Sequence, residues 1–211
     1  MAEFIEVLKG LPGMGAVGDT TLNGLVSMVV SDLAGRHRWP FLLKAQQSKT
    51  WAASTATQAY PGIARIISIM FPDPTTGYYY RLEELSDIEF QKRLELYPTE
   101  TQTYWWRDAG MTGNQYQIEM YAVPTSSTTI KLDYVELPAN DDIDTLPARF
   151  QSLITLGVRA LANPEVPFLL QNFENAVTNA IAREQDLQGK RYRVGSDPIQ
   201  ASRMSNVNNP S

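Results

Sequence analysis

Along the chain the spacing of apolar positions changes twice, from a helical repeat to alternation and back. Residues 3–9 (Glu-Phe-Ile-Glu-Val-Leu-Lys) predict a short helix closed by Gly10. From Asp19 or Thr20, either able to cap a helix N-terminus, Leu22, Leu25, Val26, Val29, Val30 and Leu33 recur at three- and four-residue spacing. They predict a long helix that closes over residues 35–38, where Arg36, His37 and Arg38 suit its negative end. Trp39 precedes Pro40, and a residue in that position is driven out of the α region, so the helix stops there. Trp39, Pro40 and Phe41 are expected to act as a structural anchor, with Leu42 and Leu43 adding apolar area at the corner.

Beyond the corner the texture is that of strands. Residues 49–60 are rich in Thr, Ala and Ser, residues 63–71 form a β-branched run, and residues 77–82 carry three tyrosines. Turns are expected at Pro61-Gly62 and over residues 72–77. Ser86-Asp87-Ile88-Glu89 reads as a capping box that opens a short helix stopped by Pro98. Tyr104-Trp105-Trp106 leads into an expected turn region containing Gly110 and Gly113. Two alternating strands follow, with Tyr116, Ile118, Met120 and Ala122 on one face of the first, and Ile130, Leu132, Tyr134 and Glu136 on one face of the second.

The helical repeat returns after residues 140–144. Pro147 is expected in a first helical turn, and Phe150, Leu153, Ile154, Val158 and Leu161 form a stripe that ends at Asn163-Pro164. Phe168, Leu170, Phe173, Val177, Ala180, Ile181 and Leu187 mark a second helix, and so short a connection makes an antiparallel hairpin. From Gly189 onward the chain is polar and turn-rich. The expected fold class is α+β, with a helical bundle formed by the first long helix and the C-terminal hairpin, an inserted β-rich module, and an extended C-terminal arm. Its divisions are residues 1–43 (N-terminal segment and first bundle helix), 44–144 (β-rich module with one short helix), 145–188 (hairpin) and 189–211 (arm).

Composition narrows the chemistry. The 211 residues hold no cysteine and one histidine, His37. Disulfides and thiolate metal sites are therefore excluded, and a single histidine removes most Ser-His, Cys-His and two-histidine arrangements. The formal charge of −5 argues against a dedicated nucleic-acid binder. No stretch approaches the length of a membrane span, and the start carries no basic region followed by an apolar run, so a soluble, unexported protein is expected.

Three patterns have functional readings. Gly13-Met14-Gly15-Ala16-Val17-Gly18 matches GxGxxG with Asp32 following, yet that fingerprint needs a strand before it and the acid on a second strand. Here Pro12 precedes the glycines and Asp32 lies in a helical repeat, so no cofactor is expected. Asp141, Asp142 and Asp144 are the carboxylates a hydrolase would use, but the segment lacks the glycine and glutamate of a calcium loop, and no metal is expected. Tyr78, Tyr80, Trp105 and Trp106 would serve as the aromatic platform of a carbohydrate- or peptide-binding module.

The order of elements carries a resemblance. A first helix ending in Arg-His-Arg-Trp-Pro-Phe-Leu-Leu, a β-rich middle, a Leu146-Pro147-Ala148-Arg149-Phe150 entry to the penultimate helix and a last helix with a polar tail are similar to the head-to-tail adaptor (connector) proteins of tailed bacteriophages. The likeness covers residues 20–190. It implies a structural virion protein with no catalytic residues, assembled in the host cytoplasm and located in the neck between head and tail. It also implies a homo-oligomeric ring, usually of twelve copies, docked beneath the portal protein, receiving tail proteins and passing genomic DNA without specific binding, with no membrane partner. Lys190, Arg191, Tyr192 and Arg193, at the root of the arm, are the expected contacts to a neighbouring subunit or the portal.

Overall fold

The computed structural model describes residues 2–98, 105–112 and 115–194. Among them are five helices and eight strands in two sheets, an α+β fold. The helices are α1 (Ala2–Lys9), α2 (Asp19–Arg36), α3 (Asp87–Leu96), α4 (Ala148–Ala162) and α5 (Pro167–Val194). The strands are β1 (Leu43–Trp51), β2 (Thr57–Pro61), β3 (Ile63–Pro72), β4 (Tyr79–Arg81), β5 (Glu83–Glu84), β6 (Trp105–Thr112), β7 (Gln115–Tyr121) and β8 (Thr128–Glu136). One sheet runs β1-β8-β3-β4 and the other β2-β7-β6-β5; every pair is antiparallel except β5 with β6.

The two sheets face each other across one apolar cluster that includes Trp51, Tyr60, Ile69, Trp106, Ile118 and Leu132. Chain crossings between the sheets are tight. Gly62, at φ +71°, turns the chain from β2 into β3, and Leu82 sits buried where it passes from β4 to β5. Leu82 still donates its amide to Ile69 O (2.9 Å), while Leu85 donates to Trp106 O in the other sheet (2.9 Å).

Strand β3 departs from simple alternation, and two bulges explain why. Its sandwich-facing residues are Ile63, Ile66, Ile69 and Phe71, the first three spaced three apart instead of two. The pairing with β8 shifts between Ile63 and Arg65 and again between Ile66 and Ser68, so Ala64 and Ile67 are the extra residues. Both turn to the other side of the sheet and pack on the helices, beside Val135 of β8. Strand β3, and β8 at Val135, are thus covered on both faces. Asp133, between these faces on β8, accepts from Ser68 Oγ (2.6 Å) on one side and from Gln46 N (2.7 Å) on the other. Gln46 lies at φ +50° in a third irregularity, between Lys44 and Gln47 of β1.

On the far side of that sheet α1, α2, α4 and α5 share a second cluster that takes in Leu8, Val26, Val29, Leu33, Phe150, Ile154, Val158, Phe173 and Val177. Gly157 lets α4 approach: a Cβ there would lie 2.6 Å from Val29 Cγ1 and 2.9 Å from Phe173 Cε2.

Several expectations are corrected. The residue at the N-cap of α2 is Gly18; Asp19 lies in the first turn and pairs with Lys9 at 2.5 Å. Pro147 occupies the N-cap of α4 rather than its first turn. Residues 105–112, expected to contain a turn, form a strand, because Trp106 faces the sandwich while Trp105 faces Leu85 and Phe90 of a third cluster. Ala109 is the extra residue of a bulge in that strand against β7, and Gly110 beside it lies at φ +84°. Leu161, Phe168, Leu170 and Leu187, placed on apolar stripes by their spacing, are 41, 65, 52 and 46% exposed. The last helix does not end before Gly189; its backbone continues to Val194.

Gly157→Ala should lower stability by about 1–3 kcal/mol through overpacking, against a helix-propensity gain of about 1 kcal/mol. The check is the urea midpoint of the variant. An unchanged or raised midpoint would show that α2 and α5 yield at this crossing.

Candidate interaction surfaces

The anchor residues meet around one ring. Trp39 is 1% exposed, donates Nε1–H to Leu33 O (2.7 Å), and stands edge-on to Phe150 with centroids 5.2 Å apart. Phe41 packs on both, at 6.0 Å from Trp39 and 5.0 Å from Phe150. Pro40 opens a 3-10 turn, Pro40–Leu42, that leads straight into β1. The corner therefore joins the end of α2, the start of the sheet and the first turn of α4.

A charged junction lies beside it. Glu184 on α5 is 4% exposed and forms an ion pair with Arg149, whose side chain is half exposed. His37, the C-cap residue of α2, stands edge-on to Trp39 at 5.1 Å, and its Nε2 is buried with no hydrogen-bond partner among the described residues. Burial pushes the His37 pKa down, and the nearby Glu184 charge opposes that shift without cancelling it. Higher on α5, Glu174 binds Arg36 of α2 through both carboxylate oxygens (2.5 and 3.0 Å), and Arg36 also takes Asp32 (2.9 Å). These side-chain bonds raise the Arg36 pKa and lower that of Glu174. Sequence reading missed this set. The available signal was Glu184 itself, a carboxylate at a position that continues the Phe173, Val177, Ile181 stripe.

The aromatic platform is not assembled from the four expected residues. Trp105 and Trp106 are 8% and 1% exposed and serve two clusters, and Tyr80 packs on Phe71. Tyr78 alone of the four stands out in solvent. Asp142 and Asp144 lie exposed in a 3-10 turn, Asn140–Thr145, and the side chain of Asp141 is outside the described residues. Among the described residues no group of three or more His, Asp or Glu is gathered as a metal site would require. The glycine-rich stretch follows a helix, not a strand, and descends through successive bonds Leu11 N to Leu8 O, Met14 N to Leu11 O and Val17 N to Met14 O. It buries Met14 completely, with Asn163 capping the sulfur at 3.9 Å. Its work is packing.

Lys190, Arg191, Tyr192 and Arg193 have their backbone in the last turns of α5, and their side chains lie outside the described residues. Exposed apolar side chains collect at the opposite end of the hairpin, where Leu161, Val166, Phe168 and Leu170 follow one another around the α4–α5 connection. No helix among the described residues is long and apolar enough to cross a membrane. No protein-family model matches the sequence, and no protein of curated function matches it.

Because the folded state holds His37 with a depressed pKa, the unfolded chain binds the proton more readily. Stability should be full above the unfolded value of 6.5, fall as pH drops below it, and level off once the folded-state pKa is passed. His37→Asn should flatten that part of the curve. Urea midpoints of both proteins across this range are the check; equal slopes would remove His37 as the cause.

Proposed function

We propose that this chain is a head-to-tail adaptor of a tailed bacteriophage, a structural virion protein that forms a ring beneath the portal, extends the DNA channel and receives the tail. In this reading α2 and the α4–α5 hairpin are the bundle, the two sheets are the inserted module, and the residues after α5 are the arm. The resemblance in element order motivates it.

The observation that carries it is the length of α5. Its 28 residues span about 42 Å, against about 22 Å for the 15 of α4. Arg149 in the first turn of α4 pairs with Glu184, so the hairpin is used up at that level. The helix then runs ten residues further, about 15 Å, to Val194. Helices draw most of their stability from packing, so in this reading a second chain packs along that last stretch. The other end of the hairpin presents the apolar group Leu161, Val166, Phe168 and Leu170. Two unlike surfaces at opposite ends of one element are what heterologous association around an axis uses, each subunit offering one to its neighbour and one to the next component. Twelve copies would carry a formal charge of about −60, which favours passage of DNA over adhesion.

Deletion of residues 190–211 tests the reading. The truncated protein should keep its melting temperature, since the clusters described above end before residue 190, and should lose portal binding or virion assembly. Unfolding of the truncated chain, or assembly equal to that of the full chain, would contradict it.

A further inference from the structure

The geometry points to a neutral-saccharide site at the end of the sandwich where the β3–β4 turn faces the loop before β8. This site stands whether or not the chain forms a ring. A cavity of about 610 Å³ opens there, and its lining combines ring faces, Tyr78 and Pro124, with the hydroxyl-bearing Thr75, Thr125 and Ser126.

Tyr78 is 80% exposed, although a large aromatic gains about 2 kcal/mol or more on burial. The turn that carries it is ordered. Asp73 Oδ1 accepts from Thr75 N (2.7 Å) and Thr76 N (2.9 Å), Asp73 O accepts from Gly77 N, and Asp73 N donates to Tyr78 O, the last two at 2.8 Å. Gly77, at φ +71°, closes the turn in a conformation that glycine adopts without strain. The ring is thus presented from a pre-ordered support, and little ordering entropy opposes a ligand. Its neighbour Tyr79 is already engaged: the hydroxyl donates to Thr129 O (3.3 Å) and Lys131 Nζ lies 4.4 Å from the ring centre. Tyr78 is therefore assigned the stacking role.

A pyranose has an apolar C–H face and a rim of hydroxyls, which matches an aromatic face beside donor–acceptor hydroxyls. Charge favours a neutral ligand. Asp73 is the charged residue of the lining, and its Oδ1 is committed to the turn. An extended peptide fits less well, because β4 has only three residues and the lining prolines Pro72, Pro74 and Pro124 offer no amide donor to an added strand.

The test titrates the full chain with maltohexaose, cellohexaose and chitohexaose, and separately with a decaproline peptide, following amide shifts by NMR. At least one sugar should saturate with Kd of about 1 mM or tighter and shift Thr75, Tyr78 and Ser126. Tyr78→Ala should weaken binding about tenfold or more, Tyr78→Phe should retain it, and both should melt like the parent. The proposal is overturned if no sugar saturates by about 10 mM, if decaproline occupies the groove and the sugars do not, or if Tyr78→Ala binds normally.

Discussion

The covering of β3, and of β8 at Val135, on both faces is the constraint on which the rest of the molecule depends. One face closes the sandwich and the other is the floor for the helices. An ordinary alternating strand offers one apolar face and one polar one, and would leave the helices without a floor. The two bulges in β3 solve this by sending Ala64 and Ile67 to the helical side while Ile63, Ile66 and Ile69 keep the sandwich side. Irregular strands expose backbone and side-chain polar groups, and Asp133 satisfies one on each flank of β8.

The helices inherit their placement from this sheet through the Trp39 corner. Because Trp39 binds Leu33 O and packs on Phe150, the exit of α2, the start of β1 and the entry of α4 are held as one unit. Gly157 sets the close approach of α4 to α2 and α5, and the Arg36–Glu174 and Arg149–Glu184 pairs tie α5 to α2 and α4. The direction of α5 is therefore settled well before its last ten residues, which project from a fixed base. A helix whose course is set by those pairs carries its end in a defined direction, which the adaptor reading requires.

Much of this was legible in the residues. Trp39-Pro40 marked the end of α2 because proline restricts the residue before it, and Ser86 with Glu89 formed the capping box that spacing predicted. Alternation in β7 and β8 named the sandwich face correctly, with Tyr116, Ile118, Met120, Ile130, Leu132 and Tyr134 all buried. Strand β6 was not legible, since Trp105 and Trp106 lie on opposite faces that are both covered, and Gly110 signals a bulge and a turn equally well. Nor was the exposure of Leu161, Phe168 and Leu170, because periodicity reports a face but not whether anything covers it. Of the functional surfaces, the tyrosine run was visible in sequence, whereas its separation from the two tryptophans depends on the sheet crossing at Leu82. The buried Glu184 pair needed the third dimension too, as Arg149 lies 35 residues away in the chain.

The central claim is that these surfaces assemble a ring on a portal. Electron microscopy of the protein mixed with the portal of its phage tests this most directly. The account predicts closed rings coaxial with the portal, with the α5 tips at a contact to a neighbouring subunit or the portal. Single copies scattered on the portal, or no complex at all, would contradict it.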